Sequence, residues 1–431
     1  MDDQNYPPGF DDALSFPLVQ ALFGRRARRF PRGGAIPDGY FRYSSGHEAM
    51  PLSPLEQMLV LTAAAGNSGW QNLIMRNARY APHLANYACS AGGRTFPSAA
   101  GFHTSEIFYT DDDGVYFLET RDAPALAGTS GDGRIEPEEL LAAHRSRITK
   151  IADGRLKLPA EVPYVEGHNT WVANHPGSTL IIPVGDLAQH TLAALCYYLQ
   201  NGQCIYDDRN GEQIGGMEQY RHLCDVDNPL PLTFLEQTSL AELTAELSTA
   251  CYAGMLMLQA TGLGGWMYDG IDPYSILGAS GNPAVPGLGF RYDTDERWSL
   301  PNPTGLPGIF EGYTPPHYRD MRSALDALVQ RKFGPGGPFH PETGGPYKMT
   351  AHVRGSARKF DEEFLDCVAL QAQYIYDRFG KFPGTVPSIF VLTYLQAQHI
   401  DTTFYDRFYL PGAYLPTHAR HMENWHSGSK E

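Results

Sequence analysis

Cysteine, cationic side chains and long apolar runs are all scarce in this 431-residue sequence, and each shortage narrows what the protein can be. Only six cysteines occur, Cys89, Cys196, Cys204, Cys224, Cys251 and Cys367, with no CxxC pair among them. They read as reduced packing residues, not as a disulfide framework. Lys and Arg number 33 against 48 Asp and Glu, a net charge of −15. Attraction to a phosphate backbone or an anionic bilayer needs surplus cation, so neither nucleic acid nor membrane is expected as a partner. No run of about 18 consecutive apolar residues is present, and the opening MDDQNYPPGFDD has acids where a secretory signal needs bases. The expectation is a soluble cytoplasmic protein.

What is abundant points to a folded chain with elaborate loops. Hydrophobic residues make up 42% and charged residues 19%, a balance that buries a core. The length suggests roughly two or three domain-sized units. Forty-five Gly and 33 Pro exceed what a helical bundle tolerates, so long structured loops are expected, and such loops usually line sites.

Several elements are legible. ALSFPLVQALFG is a short helix ending at Gly24. PLSPLEQMLVLTAAAG has helical spacing, with Ser53 as N-cap, Pro54 at the first helical position and Gly66 as the stop. EIFYTDDDGVYFLE is a hairpin about Asp112-Asp113-Gly114. TLIIPVGD is a buried strand whose Asp186 caps the following helix, DLAQHTLAALCYYLQ. SLAELTAELSTACYAGMLMLQATGLG is a central helix, with Ser239 and Glu242 as a capping box, and GGWMYD follows as a strand. Gly278 to Gly345 reads as a wrapping segment with one helix near Tyr318 to Phe333. Helices are expected again at Phe360 to Phe379, Val386 to Ile400 and Thr402 to Phe408.

Three constellations bear on chemistry. Arg25, Arg26, Arg28 and Arg29 form a dense cationic cluster, suited to grip a phosphate through bidentate forks or to stand as a solvated patch. The loop from Gly92 to Gly101, GGRTFPSAAG, is rich in small residues that let backbone N–H groups approach a planar ligand. Gly262-Leu263-Gly264-Gly265 ends the central helix as a C-cap or as a second close-approach element.

Taken in order, an Arg cluster, the PLSP helix, the PSAAG loop before a hairpin and an Ala- and Met-rich helix ending in TGLGGW resemble the nitroreductase family of flavoproteins. RTFPSAAGFHTSEIFYTDDDGVYFLE looks like the loop and hairpin of the branch that contains the azoline oxidases. The resemblance covers roughly Leu22 to Gly289. It implies an α+β fold, a nitroreductase-like sheet sandwiched by helices, with FMN at a homodimer interface and two-electron transfer by the flavin to or from a small organic substrate. By that resemblance Arg25, Ala27 and Arg29, with Arg26 adjacent, grip the phosphate and ribityl chain; Pro97, Ser98 and Ala99 lie by the flavin ring; and Gly264 and Gly265 lie near its far edge. Ala27 stands where the family usually has Ser. In place of the family's N-x-Q-P-W segment this chain has Asn67, Trp70, Gln71 and Asn72. The implied division is a nitroreductase-like domain over 1–290 and a Pro/Gly-rich, then helical, C-terminal extension over 291–431.

Two further signals stand apart. GTSGDGRIEPEE, Gly128 to Glu139, copies the back half of an EF-hand loop, but Gly128 occupies the position that needs Asp, which favours a surface turn over a calcium site. In the tail, His418, His421 and His426, with His399 upstream, offer imidazoles for a metal or, equally, a capped terminal helix whose His residues face acids or solvent. Beside the FMN oxidoreductase reading stand two others: a flavin-less member of the fold acting in binding or assembly, and a metalloenzyme centred on the His-rich tail.

Overall fold

The Asp112-Asp113-Gly114 turn forms the expected hairpin, whose strands belong to the main sheet. The structure, a computed structural model, describes residues 6–74, 86–124, 126 and 136–427. Most of the EF-hand-like segment, 128–135, lies outside the described residues. Across the main sheet the strands run Gly264–Tyr268, Tyr394–Gln398, Thr179–Asp186, Ser105–Thr110, Gly114–Leu118 and Ile148–Asp153, every neighbour antiparallel. The short strand Ile389–Phe390 pairs with the far end of Thr179–Asp186. The fold is α+β.

Period-two alternation sorts the strands' side chains between two faces. Ile107, Ile181, Leu395 and Ala397 pack against Leu61, Met255 and Leu258 from the helices Pro54–Ala65 and Leu232–Thr261. Gly254 lets the long helix lie close, because a Cβ there would stand 2.5 Å from Leu395 Cδ2. On the opposite face Phe108, Leu180, Ile182 and Val184 meet Ile276, Phe290 and Phe310. The Pro/Gly-rich stretch thus covers the second face, using the small sheet Arg291–Asp293, Asn302–Leu306 and Phe310–Glu311. A third cluster joins the helices Leu187–Gln200, Met321–Phe333 and Glu362–Phe379.

Three expectations are corrected. Val386 to Ile400 is not a helix: it supplies the two strands just named, and Tyr394–Gln398 is an interior strand of the main sheet, buried at every residue. The sheet therefore draws strands from both sides of residue 290. Ser239 and Glu242 do not start a helix; they lie within Leu232–Thr261, whose first turn is held by Asp208 Oδ1 accepting from the Thr233 amide at 2.9 Å. The first helix is two, Pro8–Leu14 and Leu18–Gly24, split at Phe16-Pro17. Ser53, Pro54 and Gly66 take their expected places, with a full capping box closed by Glu56. All six cysteines are buried and free.

Candidate functional site

The PSAAG loop is shaped by one buried carboxylate. Glu246 accepts from Ser98 Oγ at 2.5 Å through Oε2 and from the Thr104 and Ser105 amides, each at 3.0 Å, through Oε1. Between these anchors Ala100 and His103 are held at φ 48° and 47°, conformations that side-chain-bearing residues seldom adopt. The strained turn forms one wall of a cavity of about 550 Å³ that Ala99, Ala100, Tyr197, Tyr198, Ser239 and Glu242 help to line. Its tyrosine rings stand beside polar groups from Asn201, Gln203 and Thr238, a mixed lining that a small ligand with both ring and polar edges could use. Ser239 Oγ is buried with no hydrogen-bond partner. Glu242 Oε2 meets Nε2 of the fully buried His190 at 2.9 Å, and His190 Nδ1 has no partner.

The arginine cluster follows the Leu18–Gly24 helix. Arg26 donates to the carbonyls of Phe23 and Arg25, and Arg25 Nη1 lies 3.9 Å from Met255 Sδ. Arg28 is buried and donates to Gln259 Oε1, Ala413 O and Gly24 O. Arg29 donates to His168 O and Asn169 Oδ1, both at 2.6 Å, and lies over the Trp171 and Trp266 rings. Ala27 is exposed. Among the described residues, none of these four guanidinium groups forms an ion pair with a carboxylate; every partner is neutral. Burial without a counter-charge pushes Arg28 down to about 10 and lowers Arg29 as well.

Gly264 and Gly265 sit beside this cluster, in contact with the chain's own strands. A Cβ on Gly264 would meet Ile400 Cγ2 at 1.9 Å, and one on Gly265 would meet the Gln396 carbonyl oxygen at 1.9 Å. Both glycines are thus required by close strand pairing. Asn67 and Trp70 lie in the strand Asn67–Trp70, paired with Gly92–Arg94, and Gln71 donates to the Gly92 carbonyl.

The tail histidines divide. His418 turns back on its own helix, where its Nδ1 accepts from the Leu415 amide at 3.3 Å. His421 and His426 instead converge with His399 on Glu56, a residue the sequence reading did not single out. Glu56 Oε1 lies 2.8 Å from His421 Nε2 and 3.0 Å from His426 Nε2, and Oε2 lies 3.8 Å from His399 Nε2. Burial pushes the Glu56 carboxyl up, but the His421 and His426 contacts and the nearby His399 outweigh it and hold the group well below the carboxylate range. Burial also lowers the His399 imidazole to about 3.

No protein-family model matches the sequence, and no curated protein matches it. Among solved structures the chain is similar to one from Ralstonia eutropha JMP134 provisionally named a nitroreductase, at 12% identity and a TM-score of 0.27, over 63% of this chain and 75% of that one. So loose a superposition carries no residue correspondence and does not bear on the azoline-oxidase branch. Among the described residues no helix is long and apolar enough to cross a membrane.

Proposed function

We propose that the chain is an FMN-dependent oxidoreductase of nitroreductase-like fold, in the branch that contains the azoline oxidases, acting as a homodimer in the reducing cytoplasm on a small organic substrate. One observation carries this reading: four arginines within five residues, in a protein of net charge −15, find no carboxylate among the described residues. Guanidinium groups without counter-ions favour an incoming dianion. Arg25 and Arg26 have guanidinium groups open to a phosphate, whereas Arg28 and Arg29 are tied down and contribute field.

At the ring end, the Ala99-Ala100 backbone and the Tyr197 and Tyr198 rings give a planar heterocycle an apolar slot, and the buried Ser239 hydroxyl offers an uncommitted donor and acceptor. These residues orient the ring and exclude water. His190 faces the Glu242 carboxylate through Nε2, and its Nδ1 has no partner. A bound flavin supplies the hydride chemistry itself.

One protomer does not bring both ends to one flavin. Arg25 touches the long helix at Met255 and Ser98 touches it at Glu246. Nine residues on a helix of 3.6 per turn place those contacts about 13 Å apart and on roughly opposite faces. A flavin that uses both features takes arginines from one subunit and the loop from the other. The helix leading into the cluster supports such pairing, because Leu18 is 65% exposed and Phe23 78% exposed, with Val19 and Leu22 beside them. An exposed apolar face of this kind suits a second copy of the chain.

Flavin content of the purified full chain tests the reading: heat-released flavin that co-elutes with FMN is expected. Colourless protein that takes up no FMN on incubation would leave the flavin-less binding or assembly protein as the better account.

A further inference from the structure

We infer that Glu56, His399, His421 and His426 form a binding site for one divalent transition ion, with zinc the best match to the donor set. The site is independent of the flavin reading, and nothing in it touches the loop or the arginine cluster.

The four candidate ligand atoms all lie within 4.8 Å of one another. The three imidazole rings surround the carboxylate at centroid separations of 5.0, 5.2 and 5.6 Å, tilted against one another, not stacked. They arrive from three parts of the chain. Glu56 is set by its capping box, in which the Ser53 amide donates to Oε2 at 2.6 Å and leaves Oε1 turned to the tail. His399 follows the interior strand Tyr394–Gln398, and His421 and His426 open and close the helix His421–His426.

The surroundings of His421 suit ligation. Its Nδ1 lies 2.8 Å from the Thr261 carbonyl oxygen, which can only accept, so Nδ1 carries a hydrogen. Its Nε2 stands 2.8 Å from Glu56 Oε1, is buried and has no hydrogen-bond partner. A metal ion among the four donors would occupy that nitrogen, and the Thr261 carbonyl is then the kind of outer partner that fixes a ligating imidazole. At His399 the Nε2 lies 3.3 Å from the Pro51 carbonyl oxygen, and the buried Nδ1 is the nitrogen without a partner.

Three imidazoles and one carboxylate form an N₃O set typical of zinc and its first-row neighbours. Glu56, His399 and His421 are all at least nine-tenths buried, and four protein donors complete a tetrahedron, so the ion acts as a clasp. It ties the tail to the first turn of the Pro54–Ala65 helix, while Asn424 holds the tail to Asp12 of the N-terminal helix at 2.9 Å.

The test uses the tag-free full chain. Purified without chelators, it is expected to hold about one zinc-group ion per chain by elemental mass spectrometry. After removal of metal, cobalt(II) titration should give the intense visible bands of a four-coordinate site, and zinc should raise the melting temperature. Glu56→Gln and His426→Ala should weaken cobalt binding about a hundredfold or more, while His418→Ala leaves it unchanged. If the ligand variants do not fold, the wild-type titration decides alone. Metal-free wild type that takes up neither cobalt nor zinc at micromolar concentrations, with no change in melting temperature, would overturn the proposal and leave a protonated His421 paired to Glu56.

Discussion

Arg28 and Gly265 exchange backbone hydrogen bonds at the edge of the main sheet, the Arg28 amide donating to the Gly265 carbonyl at 3.2 Å and the Gly265 amide donating back at 2.8 Å. The bridge fixes where the arginine cluster sits, and Gly265 makes it at φ 138° with Gln396 pressed against its open side. Gly265→Ala should therefore cost on the order of 4 kcal/mol or more, because the added methyl overlaps backbone that cannot yield. Denaturant unfolding of the variant measures this, and a loss under about 1 kcal/mol would show that the strand pair adjusts.

The tail is expected to stabilise the whole protein. Trp425 is buried, and a Cβ on Gly9 would lie 2.3 Å from its Nε1, so the C-terminal helix is seated on the N-terminal one. Trp425→Ala should destabilise by about 3–5 kcal/mol, the usual range for emptying a large aromatic site. Deletion beyond Pro411 should lower the melting temperature further, by removing Trp425 together with Tyr414, which packs on Tyr405. A truncated chain that melts like the full one would show the tail to be an appendage.

Much of this was legible in sequence where the signal was local. The Asp-Asp-Gly turn, the Ser53 cap, the Gly66 stop and the Asp186 cap each act within a few residues, and each appears where its chemistry demands. Errors arose where the deciding partner is distant. The long helix begins at Leu232 because Asp208 caps it from 25 residues upstream, while the Ser239 and Glu242 pattern lies mid-helix. Tyr394–Gln398 is an interior strand buried at every residue, and its Leu, Gln and Ala are good helix formers, so local propensity pointed to a helix where distant strand partners decide. Glu56 escaped notice because nothing local marks it; only the return of the tail brings three imidazoles to it.

Filling the cavity should separate ring binding from folding. Ala194 lines the slot with Tyr197 and Tyr198, and Ala194→Phe puts an aromatic side chain into space of about 550 Å³. FMN affinity should fall at least about tenfold while the melting temperature holds within a few degrees, the behaviour of a ligand pocket. Equal loss of both would mark the cavity as part of the core.

The proposed dimer rests on the opposed placement of the arginines and the loop. Light scattering should give twice 47.6 kDa, and Phe23→Asp, on the exposed face, should shift it to the monomer and release flavin together. A wild-type monomer that binds FMN would contradict the two-subunit site.

Phosphate recognition by the unpaired arginines is the central claim, and comparing FMN with riboflavin on the same protein tests it most directly. Two charge-assisted contacts at about 1.5–3 kcal/mol each predict that wild type binds FMN at least about a hundredfold more tightly than riboflavin. In the double variant Arg25→Ala with Arg26→Ala that preference should collapse while the weak riboflavin affinity is kept. Equal affinities for the two flavins in wild type, or a preference that survives the double variant, would contradict the account.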